Sequence, residues 1–191
     1  MQKINEATMA FESLDDSDRI GDWISVFTGR QYYPIDPRAE EVDILDIAHS
    51  LSLLCRYNGH CDRFYSVAEH CIHVSYAVPK EYALEGLLHD AAEAYTSDVP
   101  RPLKYCDDLT LFREVEDKNT KVIYEKFKLP YPESPIVKEF DSRMLCNEGY
   151  ALLSRTDWYK CLEPIPDITI NGWLPLEAER RYLERYTELT K

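Results

Sequence analysis

The sequence predicts an all-α protein: a helical bundle with a short N-terminal β-hairpin. Three observations carry this. Apolar residues recur at helical spacing in six successive segments. Helix starts are marked at Ser66 with Glu69, and at Ser134-Pro135. β-branched and aromatic residues gather on both sides of a single turn signal, Thr28-Gly29.

Residues 1 to 20 are polar and acidic with a weak apolar pattern, so a loosely docked end is expected. Trp23 to Tyr33 forms the hairpin, and Pro34 and Pro37 end its regularity. Asp43 caps a first helix reaching about Tyr57, with Ile44, Ile47, Ala48, Leu51, Leu54 and Cys55 as its inward stripe. Its end at Asn58-Gly59 places Arg56, Tyr57 and His60 where side chains can reach a pocket. A second helix starts at the Ser66–Glu69 capping box, buries Val67, Cys71, Val74 and Val78, and stops at Pro79. His70 falls within that stripe and His73 nearer its edge. A third helix is predicted from Lys80 to about Tyr95, followed by SDVPRPLK as a rigid loop presenting Asp98, Arg101 and Lys104. A fourth begins at Asp107 or Asp108. A fifth runs from Ser134-Pro135 through Val137, Phe140, Met144 and Leu152, with Asp141 among the apolar members. After a Pro-rich connector, a last helix spans about Leu176 to Leu189.

At 191 residues, the chain suits one domain able to bury a full core without staples. A net charge of −13 argues against binding nucleic acid or an anionic membrane, since both need basic surface. An anionic ligand would need local cations or a metal. No apolar run approaches the ~20 residues of a membrane span and no signal peptide is legible, so a cytoplasmic location is expected. The six cysteines contain no C-x-x-C pair, which fits reduced thiols packed as small apolar groups.

The chemistry gathers between Ser66 and Lys104. His70, His89, Asp90, Glu93 and Asp98 lie on neighbouring predicted helices and the following loop. Imidazole and carboxylate side chains are the ligands of hard and borderline divalent ions, and an open site keeps positions for water and substrate. His70, His89 and Asp90 supply three such ligands. Asp141 is the candidate fourth, being a carboxylate on a core-facing stretch where an unpaired charge is costly. Each has a plainer reading alone: a hydrogen-bonded core histidine, or Asp141 paired with Arg143. Together they make a metal centre the better reading. Helical spacing puts Glu93 one turn beyond His89 and facing the same cavity.

The order of His70, His89-Asp90 and Asp141 resembles the HD-domain metal-dependent phosphohydrolases, whose fold is an all-α bundle around one or more divalent ions. VAEH followed by LLHDAAEAYTSDVPRPLK is similar to the group of the HD-domain 5′-deoxynucleotidases and the phage dATP triphosphohydrolases. The resemblance covers roughly Asp43 to Leu152, within a single domain of residues 1–191 whose core is about 43–155. It implies a divalent cofactor (Co²⁺, Mn²⁺, Zn²⁺ or Mg²⁺) held by His70, His89, Asp90 and Asp141, with Glu93 and Asp98 as catalytic groups and Arg56 on phosphate. It implies hydrolysis between the 5′ oxygen and the α-phosphorus of a nucleotide. Tyr57 is a candidate to stack on the base. His60, Arg63 and Lys104 are candidates for a polyphosphate tail. These cations favour a triphosphate such as dATP, split to deoxynucleoside and tripolyphosphate, over a deoxynucleoside monophosphate. A (p)ppGpp or cyclic-nucleotide hydrolase shares the ligand set, and a non-catalytic nucleotide-binding module is the non-enzyme reading. Relatives in this group are often oligomeric, which leaves a homo-oligomer open.

Overall fold

A computed structural model describes residues 18–154 and 163–191. The expectation for the N-terminal stretch through residue 17, and that for Cys161, lie outside the described residues.

The hairpin forms as predicted, with β1 (Ile24–Ser25) antiparallel to β2 (Gln31–Tyr32) and Ile24 opposite Tyr32. Its turn is latched to the first helix. Thr28 donates its main-chain N–H (2.7 Å) and its hydroxyl (3.1 Å) to Asp46, a buried carboxylate on that helix. Tyr32 is fully buried and stacks on Tyr95 at 3.7 Å between ring centroids.

The helices are α1 (Ile44–Leu53), α2 (Val67–Ala77), α3 (Ala83–Leu88), α4 (Glu93–Thr96), α5 (Arg101–Lys104), α6 (Thr110–Phe127), α7 (Pro135–Leu152) and α8 (Pro175–Leu189). α2 lies at the centre, packed on α1, α3, α7 and α8, and every residue from Val67 to Ser75 is buried. Two apolar clusters meet across it. One joins Ile47, Leu51, Cys71, Leu87 and Leu88 to Tyr182 of α8; the other joins Val74 and Val78 to Val137, Met144 and Leu152 of α7. No helix among the described residues is long and apolar enough to cross a membrane.

Four expectations need correction. The first helix ends at Leu53 rather than near Tyr57, because Tyr57 and Asn58 adopt left-handed backbone angles (φ 56° and 51°) in a short 3-10 turn from Arg56 to Gly59. The third helix is not continuous. A 3-10 turn covers Lys80–Tyr82, α3 ends at Leu88, and residues 89–92 tighten into i→i+3 bonds such as Glu93 N–H to Asp90 O (3.0 Å). Apolar periodicity runs straight through this break, so the sequence pattern hid it. The stretch after Asp98 is not all loop, since Arg101–Lys104 makes one helical turn with Pro102 in the first turn, where its missing N–H is tolerated. The capping box is half-formed. Ser66 Oγ accepts from Glu69 N–H (3.0 Å), but the Glu69 carboxylate instead accepts from the amides of Asn171 (2.8 Å), Gly172 (3.0 Å) and Trp173 (2.6 Å). The predicted starts at Asp43 and Ser134 hold, each side chain accepting an N–H of the first turn.

Candidate metal centre

α2 brings His70 to the middle of the bundle with no solvent exposure. α3 and α2 pack closely at Gly86, where an added Cβ would lie 3.3 Å from Ser75 Cα. Just beyond, His89 Nδ1 donates to the Gly86 carbonyl (2.9 Å), the acceptor that a continuing α-helix would offer to residue 90. This bond fixes the His89 ring and accompanies the end of α3.

Nε2 of His70 lies 3.2 Å from Nε2 of His89. Asp90 Oδ2 is 3.2 Å from His89 Nε2 and 3.6 Å from His70 Nε2. Asp141 Oδ1, on α7, is 3.1 Å from His70 Nε2 and 3.8 Å from His89 Nε2. Two ligand atoms each ~2.1 Å from one ion lie roughly 3.0 Å apart at a right angle and about 3.4 Å apart at a tetrahedral angle. The atoms of His70, His89 and Asp90 lie near this spacing, and Asp141 Oδ1 meets it toward His70.

The donor set fits a divalent cation on chemical grounds. The carbonyl on His89 Nδ1 can only accept, so Nδ1 carries the proton and a neutral ring offers its Nε2 lone pair. His70 Nδ1 likewise meets a carboxylate, Glu148 Oε1. Two imidazole lone pairs therefore face the Asp90 carboxylate, with Asp141 against the histidines, and bonding the far nitrogen to an oxygen acceptor is how metal-binding histidines are oriented. Against the desolvation of burial, Asp90 raises the His89 pKa well above its ordinary value, and Glu148 and Asp141 raise that of His70. His70, His89 and Asp90 form a group that could hold a metal ion, and Asp141 closes on it.

Glu93, at the start of α4, is buried, and its Oε2 has no hydrogen-bond partner among the described residues. Burial, then the charges of Asp90 and Asp98, push its carboxyl well above the usual range. Asp98 is half-buried and shifts upward, first through burial and then through Asp90.

Arg56 lies against the cluster, with its guanidinium 3.6 Å from Asp90 Oδ2 and donating to Glu148 Oε2 at 3.1 Å. Its Nε is buried, with no hydrogen-bond partner among the described residues. Tyr57 is half-buried, with its hydroxyl hydrogen-bonded to Glu148 Oε2. The other predicted cations are engaged elsewhere or exposed. Lys104 is paired with Glu116 at 2.6 Å, Arg63 donates to the carbonyls of Ala151 (3.3 Å) and Ile170 (3.0 Å), and His60 is exposed.

Sequence reasoning missed Glu148. It lies seven residues after Asp141 on α7, two turns along the same face, and has no solvent exposure. Oε1 receives His70 Nδ1 and the Tyr65 hydroxyl (3.0 Å), while Oε2 receives Arg56 and Tyr57. Although burial opposes ionisation, Arg56 and His70 hold its pKa down to about 2. The available signal was the seven-residue spacing from Asp141 on a helix whose neighbouring positions are apolar.

The helical bundle and its His-Asp cluster thus define a candidate divalent-metal centre. The chain belongs to the family of the uncharacterized protein YfdR of Escherichia coli, to which it is 39% identical over 173 residues, covering 88% of this chain and 96% of that protein. It is also similar to the uncharacterized protein RCAP_rcc00048 of Rhodobacter capsulatus (32% over 117 residues; 56% and 59% covered). A more distant similarity, 28% over 97 residues covering 46% of this chain and 47% of the other, is to the 5′-deoxynucleotidase PBPRA2627 of Photobacterium profundum. No family model matches the chain.

Proposed function

We propose that this protein is a metal-dependent phosphohydrolase of the HD-domain type, acting on deoxynucleotides at the bond between the 5′ oxygen and the α-phosphorus. The observation that carries the reading is the gathering of His70, His89 and Asp90 into one group with Asp141 against the two histidines, beside a buried acid, Glu93, with an oxygen that is unsatisfied among the described residues. The distant similarity to a 5′-deoxynucleotidase supports the substrate class.

A divalent ion held by His70, His89, Asp90 and Asp141 would supply Lewis acidity toward a phosphoryl oxygen and a water of lowered pKa. Glu93 takes the proton from the attacking water, a role suited by its raised pKa and its free oxygen. Asp98, also raised, returns a proton to the leaving 5′ oxygen. Arg56 turns its unpartnered Nε–H toward a phosphoryl oxygen, while Asp90 and Glu148 keep the guanidinium in place.

Within this reading, a monophosphate is the favoured substrate. Arg56 is the cation that lies against the cluster, whereas Lys104 is neutralised by Glu116 and the Arg63 donors go to main-chain carbonyls. A triphosphate would need those groups released. Incubation of metal-loaded protein with dAMP and dATP tests both levels. Phosphate released from dAMP supports the nucleotidase, tripolyphosphate from dATP would restore the triphosphohydrolase, and inertness toward a full deoxynucleotide panel overturns the hydrolase reading.

A further inference from the structure

Glu148 does something that its burial alone does not require. Its two oxygens are divided between two functions. Oε1 faces His70 and Tyr65, and Oε2 faces Arg56 and Tyr57. The first pair belongs to the metal half of the site and the second to the half that would hold the phosphate. We propose that Glu148 is a positioning residue that couples these halves, and that only a carboxylate can serve both at once. This rests on the metal reading given above.

The constraint on Glu148 lies in its donors and acceptors. A carboxylate presents two acceptor oxygens, whereas an amide of the same shape presents one acceptor and one donor. In Glu148→Gln, an amide oxygen placed on His70 leaves the NH₂ facing the Arg56 guanidinium, which has only donors. The reverse placement satisfies Arg56 but points the NH₂ at His70 Nδ1, which must then accept. The ring proton moves to Nε2, the atom that would bind the ion. The side chain is fully buried, so bulk solvent does not relieve the conflict. Tyr57 and Tyr65 adapt, because a hydroxyl donates or accepts. The contradiction is therefore between His70 and Arg56, and removing the Arg56 side chain should release it.

Cobalt(II) alone, titrated into the full-length protein and followed by its visible absorption, reads the metal half without any assay of activity. Glu148→Gln is expected to weaken Co²⁺ binding ~10–100-fold, the usual loss when the outer partner of a metal-binding histidine is disturbed. Arg56→Ala is expected to bind Co²⁺ within about threefold of wild type, and the double variant within about threefold of Arg56→Ala, a non-additive rescue. A purely structural role for Glu148 would give no rescue. Unchanged affinity in Glu148→Gln, or a double variant as weak as Glu148→Gln, overturns the proposal. Should Glu148→Gln fail to fold, the Zn²⁺-loaded wild type provides the test. Long-range ¹H–¹⁵N spectra are expected to show His70 protonated at Nδ1, and a His70 without that proton overturns the coupling. Absence of Co²⁺ binding in wild type overturns the metal reading itself, a result distinct from either of these.

Discussion

His70 and His89 face one another through Nε2 atoms 3.2 Å apart, each ring held by donation from its other nitrogen. Neutral rings in this arrangement oppose two lone pairs, a repulsive contact that a shared cation converts into an attractive one. Removing one ring should remove the site. His89→Ala is expected to lose Co²⁺ or Mn²⁺ binding by at least ~10²-fold while keeping its helical circular dichroism, because a three-ligand remnant binds weakly. Calorimetric titration of folded protein measures this, and wild-type affinity in the variant would rule out the assigned ligand.

Metal should also stabilise the fold. At ~100-fold excess over its dissociation constant, a ligand that binds only the native state adds about 2.7 kcal/mol. For a chain of this size that corresponds to roughly 5–10 °C in Tm. Thermal melts with Mn²⁺ and with chelator should differ by this much in wild type and coincide in His89→Ala.

Glu93→Gln should leave metal binding intact and lower deoxynucleotide turnover by ~10² or more, as expected on losing a general base. A general base must be ionised to work, and the folded pKa of Glu93 lies above the ordinary carboxylate value. Wild-type activity should therefore fall with acidification along a limb displaced upward from that value. Rate profiles should show the limb in wild type and lose it in Glu93→Gln.

Gly86 permits the approach of α2 and α3. A Cβ there would lie 3.2 Å from Val78 Cγ2 and 3.3 Å from Ser75 Cα, and backbone yields little. Gly86→Ala should cost about 1–3 kcal/mol by chemical denaturation. The same wedge sits under the carbonyl that orients His89, so metal affinity should fall with stability.

Glu69→Ala strands three main-chain amides, at 171, 172 and 173. A loss of about 2–3 kcal/mol is expected, given that these amides are partly solvated. Denaturant titration checks it, and a change within experimental error would show that water replaces the carboxylate.

The helices and the gathering of His70, His89, Asp90 and Asp141 were legible because their signals are local: a stripe, a cap, an acid at an inward position. What escaped depends on partners distant in sequence. Glu148 is defined by Arg56, Tyr57, Tyr65 and His70, none of them on its own helix. The break after Leu88 was hidden because Ala91 and Ala92 continue the apolar spacing, and the His89–Gly86 bond that accompanies it leaves no trace in periodicity. Glu69 looked like half of a capping box because nothing nearby in the chain announces the amides of 171–173.

That last bond also bears on the order of assembly. Glu69 and His70 are consecutive, yet one reaches the connector before α8 and the other the centre of the bundle. On a ribosome, which delivers the chain from its N-terminus, His70, His89 and Asp90 emerge long before Asp141, Glu148 and the amides of 171–173 do. The pocket can therefore close only after residues 141–173 have been made, and the nascent chain passes through a stage in which two histidines and an aspartate precede the acids that pack against them.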